Sequence, residues 1–395
     1  PERYIAALAR DAGVRATPRQ GDVPSGAVGI DATGQNVETV RQAIAQARAA
    51  GRAAVLFVGT GERSIDADEP LARTAVQRAV TELRDARPVA SAGRRMWFWQ
   101  FATLTLAIGL AIGTVLLAPG VALTLALLAS AAVFALIVAF RIVVLSAAVV
   151  SSPPGSHRVE AAGRPDRALP DYTVLVPLYR EAAVLPDLVE ALSNLDYPAA
   201  KLEVAIILEE DDRETRAAAA RLALPPFMRI IVVPDRQPRT KPKALDMALA
   251  LTRGDVVAVY DAEDVPDRDQ LRRAAQRLGP HGGRHHCAQA RLSIHNAKES
   301  WLTRHFTLEY AALFQALLPG LVRLGLPVPL SGTSNHFPRR VLDAEPWDPF
   351  NVTEDADLGI RLARRGGRSG VIDSDTWEEA HYLIGQGLPQ RKRWI

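Results

Sequence analysis

Apolar and polar positions change rhythm along the chain, and each rhythm predicts a different kind of structure. "YIAALARDAGV" (4–14) and "VETVRQAIAQARAAG" (37–51) repeat apolar residues at helical spacing. "AAVLFVG" (53–59) is a short strand-like run, and "LARTAVQRAVTELRD" (71–85) returns to the helical period. Residues 1–90 therefore read as a small α/β module. From 97 to 140 the rhythm disappears and no charged residue occurs. That run divides at Ala118-Pro119-Gly120. About 20 apolar residues remain on each side, enough to cross a hydrocarbon core of about 30 Å. Membrane spans are expected over 97–117 and 121–140, within a hairpin segment 91–150. Helices apolar on every side offer water no face, which separates them from a soluble hairpin. Residues 151–170, rich in Pro, Gly and Arg, read as a linker.

From Asp171 strand and helix patterns alternate. "YTVLVPLY", "LEVAIIL", "MRIIVVP" and "DVVAVYD" read as strands, and three helical segments lie between them. The β-α-β-α-β-α-β order predicts a largely parallel, doubly wound α/β sheet with helices on both faces. Such sheets bind ligands at the carboxyl ends of their strands.

Charge sharpens this picture. The formal charge of +3 over 395 residues disfavours a general nucleic-acid surface. One cysteine, Cys287, excludes an intrachain disulfide. Arg94 and Arg95 precede the first span and Arg141 follows the second, while the Pro-Gly turn is uncharged. The positive-inside rule then places both flanks in the cytoplasm, with Trp97 and Trp99 at the interface. A multi-pass protein of a bacterial-type inner membrane is expected, with its last domain cytoplasmic.

The strand ends carry the candidate chemistry. The first ends in Pro177, Leu178, Tyr179, Arg180 and Glu181, and the second in Glu209, Glu210, Asp211 and Asp212. The fourth ends in Asp261, Glu263 and Asp264. Arg236, Arg239, Lys241 and Lys243 stand before a helix. Carboxylates beside a basic, helix-opening loop suit a diphosphate bridged by a divalent cation. No P-loop or G-x-G-x-x-G pattern is present. His285, His286 and Cys287 have a spacing that suits no common zinc site.

These residues resemble family 2 glycosyltransferases, and among them the membrane-embedded synthases similar to cellulose and hyaluronan synthase. That family has the signature D, D-x-D, [TE]-[ED]-D, Q-x-x-R-W. The chain shows DAED at 261–264, TED at 353–355 and QRKRW at 390–394, and "PLSGTSNHFPRR" (329–340) is similar to the loop before the acceptor site. The resemblance covers 97–395. It implies a GT-A, Rossmann-like catalytic domain over 171–395 and inverting, metal-dependent hexosyl transfer. The donor would be a nucleotide sugar, a UDP-sugar, and the acceptor a growing polysaccharide or glycan. It implies that Asp261 and Glu263 hold Mg²⁺ or Mn²⁺, that Asp355 is the general base and that Glu354 orients the acceptor or tunes the base. Pro177, Tyr179, Glu181 and Glu210 would line the nucleotide pocket, with Asp212 the alternative to Glu210. Lys241 and Arg393 would face the diphosphate, and Gln390 and Trp394 the acceptor. Two departures stand out: EEDD replaces the usual D-D-G, and Glu263 replaces the second Asp of D-x-D, with Asp264 directly behind it.

Other readings remain open. One is transfer of a single sugar to a lipid or protein. Another is a membrane docking or receptor protein with a transferase-like domain. The layout of residues 1–90 is similar to N-terminal modules of type II secretion ATPases, which implies a regulatory nucleotide or protein partner there. Related synthases continue past Q-x-x-R-W into further membrane helices, so a longer protein is expected.

Overall fold

The computed structural model describes residues 64–67, 69–93, 97–149, 165–279 and 285–380. Before them it describes three short strands and four helical positions. Those strands, β1 (Arg15–Thr17), β2 (Ala27–Asp31) and β3 (Ala53–Phe57), form a parallel sheet in the order β1-β3-β2. The strand expected at 53–59 is β3. The first two were not expected, being too short to show a period. The helix expected over 4–14 lies outside the described residues, and positions 42, 45, 46 and 49 of the second are helical.

Helix α1 (Pro70–Ala86) buries Ala72, Ala75, Val76, Ala79, Val80 and Leu83, one stripe at helical spacing. Full burial of a side chain the size of Val80 or Leu83 contributes about 1.5–3 kcal/mol. The stripe packs on the domain that begins at residue 165, and Ala72, Ala75, Val76 and Ala79 join that domain's core. Ile65 also pairs in parallel with Ile231. Packing thus crosses the boundary expected near residue 90.

Helices α2 (Phe98–Leu117) and α3 (Pro119–Val149) are long and apolar enough to cross a membrane, and their hydropathy windows have no buried share. They break at Ala118, as the Ala-Pro-Gly sequence predicts. The second helix extends beyond the expected end at 140 to Val149. Near that end Val144 is fully buried against α9 (Leu318–Arg323), which follows α8 (Trp301–Tyr310) and a π-helical stretch, Ala311–Leu317. A Cβ at Gly320 would lie 2.2 Å from the Val144 carbonyl oxygen, so only glycine allows this approach.

The main sheet contains β4 (Tyr172–Leu178), β5 (Leu202–Glu209), β6 (Met228–Val233), β7 (Val256–Val259), β8 (Val265–Pro266), β9 (His285–Ile294), β10 (Asn335–Pro338) and β11 (Arg368–Glu378). Their order is β6-β5-β4-β7-β10-β9-β11-β8. The first four are parallel, with the chain order reversing beside β4. Both faces of β4 and β5 are covered, which explains their unbroken apolar sequences. One face packs on α6 (Lys241–Leu251) and, outside it, α1. The other packs on α4 (Leu185–Ser193) and α7 (Gln270–Leu278). The expectation of a largely parallel sheet needs one correction, because the sheet is mixed. Strand β10 is antiparallel to both β7 and β9, and β8 is antiparallel to β11. The reversal at β10 has a use: it brings the 331–334 loop back to the carboxyl end of β7.

Candidate active site

Two loops and the start of a helix meet where the strand order reverses. After β7, Asp261 begins a turn that Asp264 closes: Asp264 Oδ2 accepts the Asp261 N–H at 2.6 Å. Asp264 is buried, and the same oxygen accepts the Thr333 hydroxyl. Thr333 belongs to the loop before β10. There Ser334 takes a left-handed φ of 57° and its N–H donates to the Val259 carbonyl at 2.7 Å. Gln289 on β9 braces this loop, accepting the Ser331 N–H at 3.1 Å and donating to the Thr333 carbonyl at 3.1 Å. The third component is α11 (Glu354–Arg364), which follows the short α10 (Arg339–Ala344). It opens with Glu354 and Asp355 and closes at Gly366, φ 78°. A Cβ at Gly359 would lie 2.4 Å from the Val328 carbonyl, so glycine lets this helix lie against the loop.

Gly332 marks the centre. A Cβ placed there would have Asp355 Oδ2 and Lys241 Nζ each at 3.8 Å and Asp261 Oδ2 at 3.9 Å. Lys241, the first residue of α6, donates to Asp261 Oδ1 at 2.6 Å and to the Gly332 carbonyl at 2.5 Å. Burial alone would lower its pKa, but Asp261, Asp355 and Glu354 outweigh burial and hold it above the ordinary lysine value. The carboxyls go the other way. Burial, opposed by Lys241 and reinforced by Glu354 and Asp261, pushes Asp355 up to about 8. Burial also raises Glu354. Asp264 rises to about 8 through burial and the adjacent Asp261. Glu263 is exposed at the edge of this cluster, yet desolvation, Asp261 and Glu181 push its carboxyl up to about 7.

Glu378, at the end of β11, was not anticipated. Its neighbour Trp377 pairs with Val265, so β11 delivers Glu378 beside the DAED turn. It lies against the Asp264 carboxyl, and burial with Asp264, Asp261 and Glu263 raises its pKa strongly. Asp264 Oδ1 is buried without a hydrogen-bond partner.

These carboxyls crowd together with Lys241 as the cation at their centre. Hard oxygen donors with surplus negative charge fit a divalent cation such as Mg²⁺ or Mn²⁺. Among the described residues no three His, Cys, Asp or Glu side chains are grouped to hold an ion alone. Asp261 and Glu263 would therefore supply only part of a coordination shell. Asp264 is committed to closing the turn.

The expected nucleotide-side residues lie along the ends of β4 and β5. Pro177 is half-buried in β4, and Tyr179 is exposed, with the Arg180 guanidinium 5.1 Å from its ring centre. The Tyr179 hydroxyl donates to Asp211 at 3.4 Å. Burial, then Asp212 and Asp261, raise the Glu181 carboxyl. Glu210 accepts the Asp235 N–H at 2.7 Å. Asp212 caps α5 (Arg213–Ala219), accepting the Thr215 N–H, and it also accepts the Arg180 N–H. Within the basic loop, Lys243 is fully buried and paired with Glu209 at 3.0 Å. Arg239 pairs with Asp235 and Asp211. Lys241 is the lysine that reaches the centre.

His336 is fully buried between the Tyr172 hydroxyl and Gln270. Cys287 is likewise buried in β9. Gln390, Arg393 and Trp394 lie outside the described residues. One further residue touches the centre unexpectedly: the buried Trp347 donates its indole N–H to Asp355 Oδ1 at 3.4 Å.

A family model described as "Glycosyltransferase like family 2" matches residues 170–395. The β-monoglucosyldiacylglycerol synthase of Synechocystis sp. is 31% identical over 231 residues, 57% of this chain and 47% of that protein. The probable glycosyltransferase YdaM of Bacillus subtilis is 24% identical over 232 residues, 58% of this chain and 55% of the relative. The chain thus spans about half the length of the curated relatives it matches. Among solved structures, a mannosyltransferase from Pyrobaculum calidifontis with GDP-Man and Mn²⁺ has a TM-score of 0.46 at 20% identity, covering 59% of this chain and 65% of its own. Glucosyl-3-phosphoglycerate synthase from Mycobacterium tuberculosis, with Mn²⁺, UDP and phosphoglyceric acid, has a TM-score of 0.39 at 18% identity, covering 62% and 81%.

Proposed function

The chain belongs to the family 2 glycosyltransferases, and from that premise we propose that it transfers a sugar from a nucleotide-sugar donor to an acceptor lipid held in the membrane. The observation that supports this most is the meeting of Lys241, Asp261 and Asp355 around Gly332. In this reading Asp355 takes the proton of the acceptor hydroxyl as its oxygen attacks the anomeric carbon. The bond from that carbon to the diphosphate oxygen breaks, its electron pair leaves with the nucleoside diphosphate, and the configuration inverts. Lys241 offsets negative charge between Asp261 and the base. Tyr179, Glu181 and Glu210 line the nucleotide side. Mg²⁺ or Mn²⁺ held by Asp261 and Glu263 would supply Lewis-acid stabilisation of the departing diphosphate.

The lipid acceptor is favoured by relatives named for monoglucosyldiacylglycerol synthesis and by the docking of an apolar helix at Val144 onto the catalytic domain. A second reading, polymer synthesis, is favoured by the Q-x-x-R-W residues at 390–394. Detergent-solubilised protein given radiolabelled UDP-glucose, Mg²⁺ or Mn²⁺ and diacylglycerol is expected to form a one-sugar glycolipid. A large product retained at the chromatographic origin would favour polymer synthesis, and no transfer to either would overturn the transferase reading.

The site also predicts a pH dependence. Asp355 must be ionised to accept a proton, and burial pushes its carboxyl up to about 8. At saturating cation kcat/KM should rise with pH on a limb shared with Glu354, with an apparent pKa above the ordinary carboxylate value and below about 8, because the cation's charge favours the ionised carboxyl. Because the folded pKa is raised, protonated Asp355 and Asp264 stabilise the fold fully below their ordinary value of 3.8. That contribution is lost as pH rises through about 8, so Tm without cation should fall from about pH 5 to about pH 9. A kinetic limb at about pH 4 would contradict the base assignment.

A further inference from the structure

We propose that residues 87–93, between α1 and the first apolar helix, form a clamp that positions Asp355 through Trp347. This rests on the reading of Asp355 as the base. Trp347 is wholly buried in the turn that precedes α11. Its indole N–H reaches Asp355 Oδ1, its backbone N–H donates to Asp246 Oδ1 at 3.2 Å, and its ring stands edge-on to Phe337 with centroids 6.0 Å apart. Two buried carboxylates flank it, Glu345 and Asp348.

The clamp residues meet both. Arg87 pairs with Glu345 Oε1 and donates to the Ala344 carbonyl. Arg361 completes the other side of Glu345 at 2.9 Å, and Arg365 also pairs with it. The Ser91 hydroxyl donates to Asp348 Oδ1 at 3.0 Å, and the Ala92 N–H donates to Oδ2. Gly93 lies against Phe350, whose ring a Cβ would approach to 2.7 Å. The Arg84 guanidinium sits 5.6 Å from the centre of the same ring.

A buried carboxylate that loses its donors must rehydrate or move. Releasing 87–93 would therefore release the turn at Glu345 and Asp348, and with it the indole that holds Asp355. Asp355 would remain in α11 but lose its fixed approach to the acceptor. Trp347 is thus a positioning residue, and the clamp acts on it from the segment that leads into the membrane helix.

The test compares the full chain with Arg87→Ala/Ser91→Ala and with Arg87→Lys, following turnover and hydrogen exchange together. The double variant should lose about tenfold in kcat while the donor KM stays within about twofold. Amides of 345–357 should exchange about tenfold faster while those of β5 are unchanged. Arg87→Lys should stay close to the parent in both readouts. Unchanged exchange in 345–357, a rise spread over β5 as well, or unchanged kcat with faster local exchange would each overturn the clamp. A KM rising in step with falling kcat would do the same. If the double variant does not fold, Ser91→Ala alone is read by the same criteria, with effects of about threefold. A parent that transfers no sugar would defeat the reading of the base, while the exchange experiment would still decide whether the clamp holds the turn.

Discussion

Asp355→Asn is expected to lower kcat by about 10³-fold while the protein folds and binds donor as before. A positioned general base contributes about 10²–10⁴-fold, and asparagine keeps the size of the side chain but cannot take a proton. Fold should survive because the raised carboxyl titration means that the neutral form already suits this buried position. The indole of Trp347 can still donate to the amide oxygen. Single-turnover kinetics with separately measured donor affinity checks both halves of the expectation. Retained turnover would move the proton to another group, with Glu354 the adjacent candidate.

The second large effect concerns the cation. Chelation should stop turnover, Mg²⁺ or Mn²⁺ should restore it, and Asp261→Asn should lower kcat by about 10³-fold at saturating cation. Several kcal/mol of charge stabilisation are at stake, and each 1.4 kcal/mol is about tenfold in rate. Asp261 is also the partner of Lys241, so its replacement leaves that ammonium with less to hold it. Glu263→Gln should be milder, because this longer side chain stands at the open edge of the cluster. Calorimetric titration of cation in the presence of UDP checks the assignment independently of turnover. Full activity after exhaustive chelation would remove Asp261 and Glu263 from this role.

The parts of this site that were legible in the sequence are contiguous ones. The four parallel strands showed as apolar runs because β4 and β5 are buried on both faces. The DAED turn and the start of α11 showed because a strand end and a helix start leave local signatures. Partners set by long-range pairing were hidden. Glu378 enters the cluster only because β11 pairs with β8, and Trp347 meets Asp355 only after the turn folds back. Nothing near Gln289 marks it as a brace for the 331–334 loop. Charge runs were legible as charge but not as assignment. Asp212 went to a helix cap, and Lys243 to an internal pair with Glu209. The reversed direction of β10 was equally hidden, because a four-residue strand carries no mark of its orientation.

Helix α3 has a mechanical consequence. Its 31 residues make a rod of about 46 Å at about 1.5 Å per residue, against a hydrocarbon core of about 30 Å. On the membrane reading, the surplus is a rigid stand-off, and Val144 meets Gly320 within it. The catalytic domain's height above the bilayer is then set by helical register rather than by a loose tether. Because Val144 must keep the face that meets Gly320, that height changes only in steps of about one turn, 5.4 Å. The helix serves as a ruler, and on that reading the proposed lipid acceptor would have to offer its hydroxyl at the depth this ruler allows.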